Sequence, residues 1–269
     1  REAVRDDDDV RIDLPATAVP AGRTVLRLSN VLLRDGSSVS LEVRGPERVA
    51  IVGRNGAGKT TLLRAAMGLV PAAGGRLRLA GRPVAGRRTA ELALDAGFVP
   101  QDPGAALFAE TVEREVAFTA RNHGLPRSAV EAALAELGLR ELRDRHPRDL
   151  SAGQRLLVAL AAVLVAGPKV LLLDEPTRGL DAPSKQRLVE VLAARREAGC
   201  AVLLATHDVE LAARVADRVA LLAEGEIVAS GPVDQVLAES AVFSPQVARV
   251  LGAPWLTVAE VREALEASA

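Results

Sequence analysis

Gly53-Arg54-Asn55-Gly56-Ala57-Gly58-Lys59-Thr60-Thr61 directly follows the apolar run Val49-Ala50-Ile51-Val52. The stretch fits the phosphate-binding pattern G-x-x-x-x-G-K-[ST] and lies between a predicted strand and a predicted apolar helix. Its glycines let the backbone turn tightly and direct several N–H groups at one point, where the positive end of the helix dipole also acts. We therefore predict a loop that binds nucleotide phosphates, with a chance glycine-rich turn as the alternative. The candidate binding residues are Gly53, Asn55, Gly56, Ala57, Gly58, Lys59, Thr60 and Thr61.

Two side chains of this loop suit the chemistry of a nucleotide. Lys59 is a compact point charge that can reach the β- and γ-phosphate oxygens. The Thr60 hydroxyl can ligate a magnesium ion that bridges the same two phosphates. The pattern thus predicts a nucleotide with Mg²⁺ as the ligand.

Composition indicates a globular α/β protein without a large positively charged surface for nucleic acid. The chain has 269 residues, 49% of them hydrophobic, and a formal net charge of −1. The run from Leu156 to Gly167 is shorter than the roughly 20 apolar residues that a membrane-spanning helix needs, and it predicts a buried core helix. Cys200, at the start of an apolar strand, is expected to be buried and reduced, which suits a cytoplasmic setting.

The first residues predict a flexible linker. The chain begins at Arg1, and its only methionine is Met67. Residues 1–22 contain the acidic run 6–9 and two prolines, a composition typical of linkers. We therefore expect one half of a longer polypeptide, with a trimmed chain as the alternative.

The order of patterns predicts a mostly parallel sheet with flanking helices. Alternating apolar positions between residues 24 and 42 predict short antiparallel strands, which would form a small β subdomain. Strands are also predicted at 76–80 and 96–99. After residue 167, strands alternate with helices, a pattern typical of parallel sheets covered on both faces.

Three units are expected along the chain. The principal domain would span residues 23–240. Helical periodicity from residue 111 onward predicts an inserted helical subdomain, about residues 102–166. Residues 241–269 are expected to form a helical tail.

Polar residues follow several predicted strands. Asp174 and Glu175 end the apolar strand 170–173, and ligands of parallel sheets bind at such carboxyl ends. Asp174 is a candidate magnesium ligand, and Glu175 a candidate general base that polarises the attacking water. Gln101 could contact both metal and water, and His207 could hydrogen-bond the γ-phosphate. The alternative for Asp174 and Glu175 is a solvated strand end. Without the other motifs, His207 would be interpreted as a surface residue, and Gln101 would indicate nothing.

The segment Leu150-Ser151-Ala152-Gly153-Gln154 completes a set of six motifs in order, whose other members are the phosphate loop, Gln101, the acidic strand end 171–176, Gly179-Leu180-Asp181 and His207. With it, the chain resembles the ATP-binding cassette (ABC) family of ATPases from about residue 24 to residue 238. The resemblance implies the P-loop NTPase fold of ABC type, with ATP and Mg²⁺ as ligands. It also implies a head-to-tail dimer with a second ABC ATPase domain, identical or different, separate or fused. The residues Ser151, Gly153 and Gln154 would then serve the nucleotide of the partner domain.

A finer resemblance begins at Gln101-Asp102-Pro103 and continues through Leu107-Phe108, Thr111-Val112-Glu113 and Gly124-Leu125-Pro126. These motifs are similar to those of the ATPases of energy-coupling-factor importers and of cobalt and nickel importers. The resemblance implies import of a vitamin or metal ion through a transmembrane coupling subunit and a substrate-binding membrane subunit. The chain would lie peripherally at the cytoplasmic face of the membrane.

Two other readings remain. One is an ABC ATPase without a transmembrane partner that acts on ribosomes or DNA, which the near-neutral charge opposes. The other is a regulatory module that binds but does not hydrolyse nucleotide, which the intact Lys59, Asp174, Glu175 and His207 oppose.

Two features of the sequence depart from the family pattern. Ala152 stands where the family most often has glycine. The chain has no tyrosine, and its first aromatic residue is Phe98, so no aromatic side chain precedes the phosphate loop. Leu33 or Arg34 is therefore expected to contact the adenine, by apolar contact or by guanidinium stacking.

The segment after Gln101 also predicts a docking surface. Leu107, Phe108 and Phe118 are expected to be exposed and to suit a groove for a partner helix. The alternative is that some of them, Phe118 above all, belong to the subdomain core.

Overall fold

The computed structural model describes residues 19–32, 36–240 and 242–267. Most of the predicted linker, together with Leu33 and Arg34, therefore lies outside the described residues. Val19, near the end of the predicted linker, is buried and donates its backbone N–H to the Gly199 carbonyl at 3.2 Å. No helix of the described part is long and apolar enough to cross a membrane.

The strands form two sheets. The strands are β1 (Thr24–Leu32), β2 (Ser38–Arg44), β3 (Arg48–Val52), β4 (Arg76–Leu79), β5 (Arg82–Pro83), β6 (Ala96–Val99), β7 (Val170–Asp174), β8 (Ala201–Thr206), β9 (Arg218–Ala223) and β10 (Glu226–Pro232). Six of them belong to a central sheet in the order β10-β9-β3-β8-β7-β6, and four to a small sheet in the order β2-β1-β4-β5.

Helices cover the central sheet and fill the segment between β6 and β7. Three short 3₁₀ turns accompany them, at residues 103–106, 140–142 and 147–149. The helices are α1 (Lys59–Ala66), α2 (Thr89–Leu92), α3 (Val112–Asn122), α4 (Arg127–Glu136), α5 (Ala152–Leu164), α6 (Ala182–Glu197), α7 (Val209–Val215), α8 (Val233–Glu239), α9 (Gln246–Leu251) and α10 (Val258–Ala267).

The central sheet confirms the predicted α/β architecture. Strands β6, β7, β8, β3 and β9 run parallel, and only β10 is antiparallel to its neighbour. Every residue of β7 and β8 is buried. Apart from Asp174 and Thr206 at their carboxyl ends, both strands are apolar, because helices cover both faces of the sheet. The carboxyl ends of β3, β6, β7 and β8 consequently lie along one edge.

The small sheet confirms the antiparallel strands that the alternating pattern predicts. Leu26 and Leu28 of β1 point into a core that also contains Leu62 and Leu63 of α1. Arginines and serines alternate with these positions and face outward. The small sheet thus packs against α1, directly behind the phosphate loop.

Helices α3, α4 and α5 and the three 3₁₀ turns lie within residues 102–166, so the helical stretch is interrupted. Gly124 and Gly138 follow α3 and α4 with φ angles of 66° and 68°. These left-handed conformations suit glycine and end helices. Val116, Leu134 and Leu160, on α3, α4 and α5, join one buried cluster.

A buried carboxylate connects the small sheet to the central one. Asp95 precedes β6, and its side chain is 3% exposed. Lys169 lies 2.7 Å from it, Arg82 3.0 Å and Arg87 3.2 Å. Burial would raise the pKa of Asp95, but hydrogen bonds from these three cations outweigh burial and hold the pKa below its ordinary value.

We predict that Asp95→Asn lowers the free energy of unfolding by about 2–4 kcal/mol at neutral pH, because three cations lose a buried partner. Since the folded-state pKa is lowered, the stabilisation is present above about pH 4 and disappears as the pH falls through the folded-state pKa. Urea unfolding of both proteins between pH 3 and pH 7 measures the effect.

Glu91→Gln is the matched control. It removes the carboxylate of the solvent-exposed pair between Glu91 of α2 and Arg88, the residue before that helix. Exposed ion pairs of this kind contribute about 0–1 kcal/mol to the free energy of unfolding. A difference between Asp95→Asn and the parent that stayed constant across this pH range would contradict the assigned role.

Candidate nucleotide-binding site

The loop between β3 and α1 requires each of its three predicted glycines. Gly56 and Gly58 have φ angles of 87° and 98°, which side chains other than glycine rarely adopt. A Cβ atom on Gly53 would lie 2.3 Å from the Leu222 carbonyl oxygen of β9. The loop therefore passes closely over the sheet edge before α1 begins at Lys59. Of the other predicted loop residues, Asn55 is exposed, whereas Ala57 and Thr61 are half-buried.

The Lys59 ammonium group folds back inside this loop. Its Nζ atom lies 2.7 Å from the Gly53 carbonyl oxygen and 3.1 Å from that of Arg54. The same atom is 3.3 Å from Glu175 Oε1, and both side chains are buried. A phosphate that reaches Lys59 would therefore compete with a carboxylate of the protein itself.

Thr60 and Asp174 meet although 114 positions separate them. The Thr60 hydroxyl donates to Asp174 Oδ1 at 2.9 Å. Burial raises the pKa of Asp174 and the neighbouring Glu175 charge adds to this increase, whereas the Thr60 hydrogen bond opposes it.

These two side chains fit a magnesium ion. Asp174 Oδ2 is buried and has no hydrogen-bond partner among the described residues. A free carboxylate oxygen beside a hydroxyl is the hard oxygen donor set that Mg²⁺ prefers. The described residues contain no cluster of three or more His, Cys, Asp or Glu side chains that could hold a metal alone. Water and phosphate oxygens would therefore have to complete the coordination.

Glu175 links the phosphate loop to the end of β8. Its backbone has a φ angle of 47°, and its N–H donates to the Ala205 carbonyl at 2.8 Å. Its Oε2 atom lies 2.7 Å from His207 Nδ1 and accepts from the His207 backbone N–H at 3.2 Å. The Thr206 hydroxyl also donates to this oxygen, at 3.3 Å. The carboxylate is thus held between an ammonium group and an imidazole.

Two predicted residues stand apart from this cluster. Gln101 follows β6 at the same sheet edge and is exposed, and within the described part of the chain no hydrogen bond joins it to Thr60, Asp174 or Glu175. Arg34, the candidate for adenine contact, lies outside the described residues. The structure therefore brings together Lys59, Thr60, Asp174, Glu175 and His207.

The predicted signature residues begin α5. Ser151 Oγ accepts from the Gln154 N–H at 3.2 Å, and the Gln154 side chain accepts from the Ser151 N–H at 3.0 Å, which together form a capping box. A Cβ atom on Gly153 would lie 2.0 Å from Ser184 Oγ near the start of α6. Gly153 is thus required by packing within its own chain, and Gln154 already uses its side chain in the cap.

Sequence analysis missed Asp208, which orders the turn after His207. Its carboxylate caps α7 through the Leu211 N–H at 3.0 Å and accepts from Lys185 and Thr177 at 3.0 and 3.2 Å. Burial would raise the pKa of Asp208, but these contacts outweigh burial and lower it. Aspartate before a helical pattern is a typical N-cap signal, so the cap could have been predicted. The contacts with Lys185 and Thr177 could not.

Comparison with known proteins gives the family. Residues 37–178 match the family model described as ABC transporter. A relative from Streptomyces avermitilis, named as an ABC transporter ATP-binding protein, is 46% identical over 257 residues, which cover 95% of this chain and 46% of the relative. The cobalt import ATP-binding protein CbiO of Rhodobacter capsulatus is 42% identical over 212 residues, or 77% of this chain and 76% of that protein.

A solved structure has the same fold. It is cbiO1 of Clostridium perfringens, part of the ABC transporter complex cbiONQ. The TM-score is 0.75 at 32% identity, and the match covers 91% of this chain and 99% of that one. The predicted fold class is thereby confirmed.

This chain spans less than half the length of several curated relatives that it matches. The family model and the CbiO relative nevertheless each cover more than half of the chain itself. The chain therefore belongs to the ABC transporter family of ATP-binding proteins, a family of ATPases.

Proposed function

We propose that this chain binds and hydrolyses ATP to power a membrane importer of a vitamin or a metal ion. The observation that carries the proposal is the cluster of Lys59, Thr60, Asp174, Glu175 and His207 at one edge of the parallel sheet. It contains a phosphate-binding cation, two hard oxygen donors and a buried carboxylate held by a histidine. These are the groups that phosphoryl transfer to water requires.

Each side chain has a role that its contacts support. Lys59 would give up its ion pair with Glu175 and bind the β- and γ-phosphate oxygens. The backbone N–H groups of Gly56 and Gly58 would bind the same phosphates. Thr60, Asp174 and Gln101 would hold Mg²⁺, which when bound would offset the negative charge of the phosphates. Glu175 would accept a proton from the attacking water, and His207 would fix the orientation of that carboxylate while reaching the γ-phosphate.

A second ABC domain would complete the site. Ser151 is exposed at the N-terminus of α5, and no hydrogen bond joins Ser151 or Gln154 to the phosphate loop in the part of the chain that is described. An exposed helix N-terminus without a hydrogen bond to the described phosphate loop of its own chain suits an anion brought by another domain. We infer a head-to-tail dimer in which Ser151 and Gly153 contact the nucleotide of the partner, whether that partner is separate or fused.

The import role rests on relatives and on one surface. The Rhodobacter capsulatus relative is a cobalt import protein. Here, Phe108 and Phe118 are 65% and 42% exposed, and their rings meet edge to face with centroids 4.8 Å apart. Leu107, expected to be exposed, is instead partly buried against the core, because its turn folds onto the helical segment.

Glu115 of α3 fixes this surface. Its buried carboxylate accepts from the backbone N–H groups of Phe108 and Ala109 at 2.9 and 2.7 Å. The exposed Phe108 ring is thus held on an ordered turn. An ordered aromatic pair of this kind suits the apolar side of a partner helix. We propose that a transmembrane coupling subunit docks there, with the chain at the cytoplasmic face of the membrane.

We predict that Glu175→Gln retains ATP binding and lowers ATP turnover by about 10²–10⁴-fold, because the amide cannot accept the proton of the water. Phosphate release and nucleotide titration measure the two effects. Glu190→Gln, on the exposed side of α6, is the control and should leave turnover unchanged. Turnover near that of the parent protein in Glu175→Gln would refute the assignment of the general base.

We also predict that ATP and GTP bind with affinities that differ by less than about tenfold, or 1.4 kcal/mol, because no aromatic side chain precedes the phosphate loop. Calorimetric titration of both nucleotides with magnesium measures the ratio. Arg34→Ala should weaken both nucleotides alike if the guanidinium stacks on the base. A larger preference for ATP would reveal a contact that reads the base edge.

Finally, Phe108→Ser combined with Phe118→Ser should reduce co-purification with the membrane subunits by at least about tenfold, because the apolar contact area is lost. ATP binding by the isolated chain should remain. Val250→Ser with Leu265→Ser, at exposed apolar positions of α9 and α10, is the matched control. If both double variants co-purify equally with the membrane subunits, the docking surface lies elsewhere.

A further inference from the structure

A wide cavity of about 840 Å³ lies between the small sheet and the end of α1. None of its lining residues belongs to the phosphate loop, and none is an aspartate or a glutamate. Four of them are arginines: Arg27, Arg76, Arg78 and Arg87. The chain as a whole has a net charge of −1, so this concentration of positive charge is local.

The strand register brings these charges together. Arg27 of β1 lies directly opposite Arg78 of β4. Arg76 is two residues from Arg78, so both side chains are on the same face of the sheet. Glu42 of β2 lies opposite Arg27 on its other side. Like charges directly opposite each other destabilise an antiparallel pair, so the Arg27–Arg78 pair favours a negatively charged ligand beside it.

Acidic neighbours compensate only part of this charge. Arg27 pairs with Glu42 at 2.7 Å, but Glu42 also pairs with Arg44 at 3.2 Å. Asp95, the partner of Arg87, is shared with Arg82 and Lys169. In the described residues, Arg76 and Arg78 have no ion pair, and both are exposed.

We propose that this cavity binds phosphoryl groups, two or more at a time, at a site separate from the one proposed for ATP. A guanidinium group offers paired N–H donors that match phosphate oxygens, and arginine is the residue best suited to such contacts. Arg76 and Arg78 provide the uncompensated charge, and Arg27 lies beside them. A free oligophosphate and the headgroup region of an anionic phospholipid bilayer both present this chemistry.

The test uses the full chain with Lys59→Ala, which removes the lysine of the phosphate loop. Calorimetric titration with tripolyphosphate measures the affinity of the chain for a free anion. Flotation with phosphatidylglycerol vesicles, compared with vesicles of phosphatidylcholine alone, measures binding of the chain to the anionic lipid. We expect Arg76→Ala with Arg78→Ala to weaken binding to one of these probes at least tenfold. Loss of tripolyphosphate binding identifies a free anion, and loss of phosphatidylglycerol binding identifies a lipid.

Two control variants distinguish binding in this cavity from nonspecific attraction of anions to positive charge. Arg140→Ala with Arg148→Ala removes two exposed arginines elsewhere and should change neither binding curve. Arg76→Lys with Arg78→Lys retains charge without paired donors and should give intermediate affinity. Thermal unfolding verifies the fold of each variant, and MgATP binding is compared in chains that retain Lys59.

The outcomes are decisive. If neither probe binds the Lys59→Ala chain, or if both arginine-to-alanine pairs weaken binding equally, the proposal is overturned. Unchanged MgATP binding in Arg76→Ala with Arg78→Ala is expected. A parallel loss of MgATP binding would show that the arginines act on the nucleotide site and would also overturn it. ATP turnover tests the proposed function separately, so either proposal can fail alone.

Discussion

The parallel register of β3, β8 and β7 is the constraint on which the rest of the site depends. Val52 pairs with Thr206, and Asp174 pairs with Ala205, so three strands end at the same level. The phosphate loop, the two carboxylates and His207 all follow these ends. In parallel sheets whose faces are covered by helices, ligands bind at the carboxyl ends of the strands. The chemistry of the site is therefore a consequence of how three buried apolar strands align.

Glu175 occupies the centre of this arrangement. One carboxylate oxygen faces the Lys59 ammonium group. The other accepts a hydrogen bond from the Thr206 hydroxyl and contacts Nδ1 of His207. These contacts satisfy buried charges that would otherwise be costly to leave unpaired. If Lys59 binds phosphate as proposed, an incoming phosphate would replace this internal ion pair, and nucleotide binding would then be coupled through Lys59 to the release of the proposed general base.

The helical segment and the small sheet carry surfaces of opposite character. Phe108 and Phe118 form an exposed apolar pair that buried Glu115 supports. The arginines of β1 and β4 form a cationic face with few acidic neighbours. Both surfaces lie outside the cluster around Lys59, so each can be altered without touching the groups proposed for ATP hydrolysis.

The sequence by itself determined the phosphate loop, the acidic strand end, the ABC resemblance and most helices and strands. These features depend on short patterns: glycines at fixed spacing, apolar runs of strand length and carboxylates directly after them. It also predicted that Lys59, Thr60, Asp174, Glu175 and His207 would serve one site, although their roles remain proposals. Its expectation that Leu107 is exposed was wrong, since spacing does not reveal which side of a turn faces the core.

Only the tertiary structure decided which groups touch. The Lys59–Glu175 pair, the support of Phe108 by Glu115 and the contact of Gly153 with Ser184 join residues from different elements. The opposition of Arg27 and Arg78 depends on strand register, which no local pattern specifies. Contacts of this kind arise from packing and register across the whole domain, because a side chain's partner is set by the elements that fold beside it and not by its neighbours in sequence.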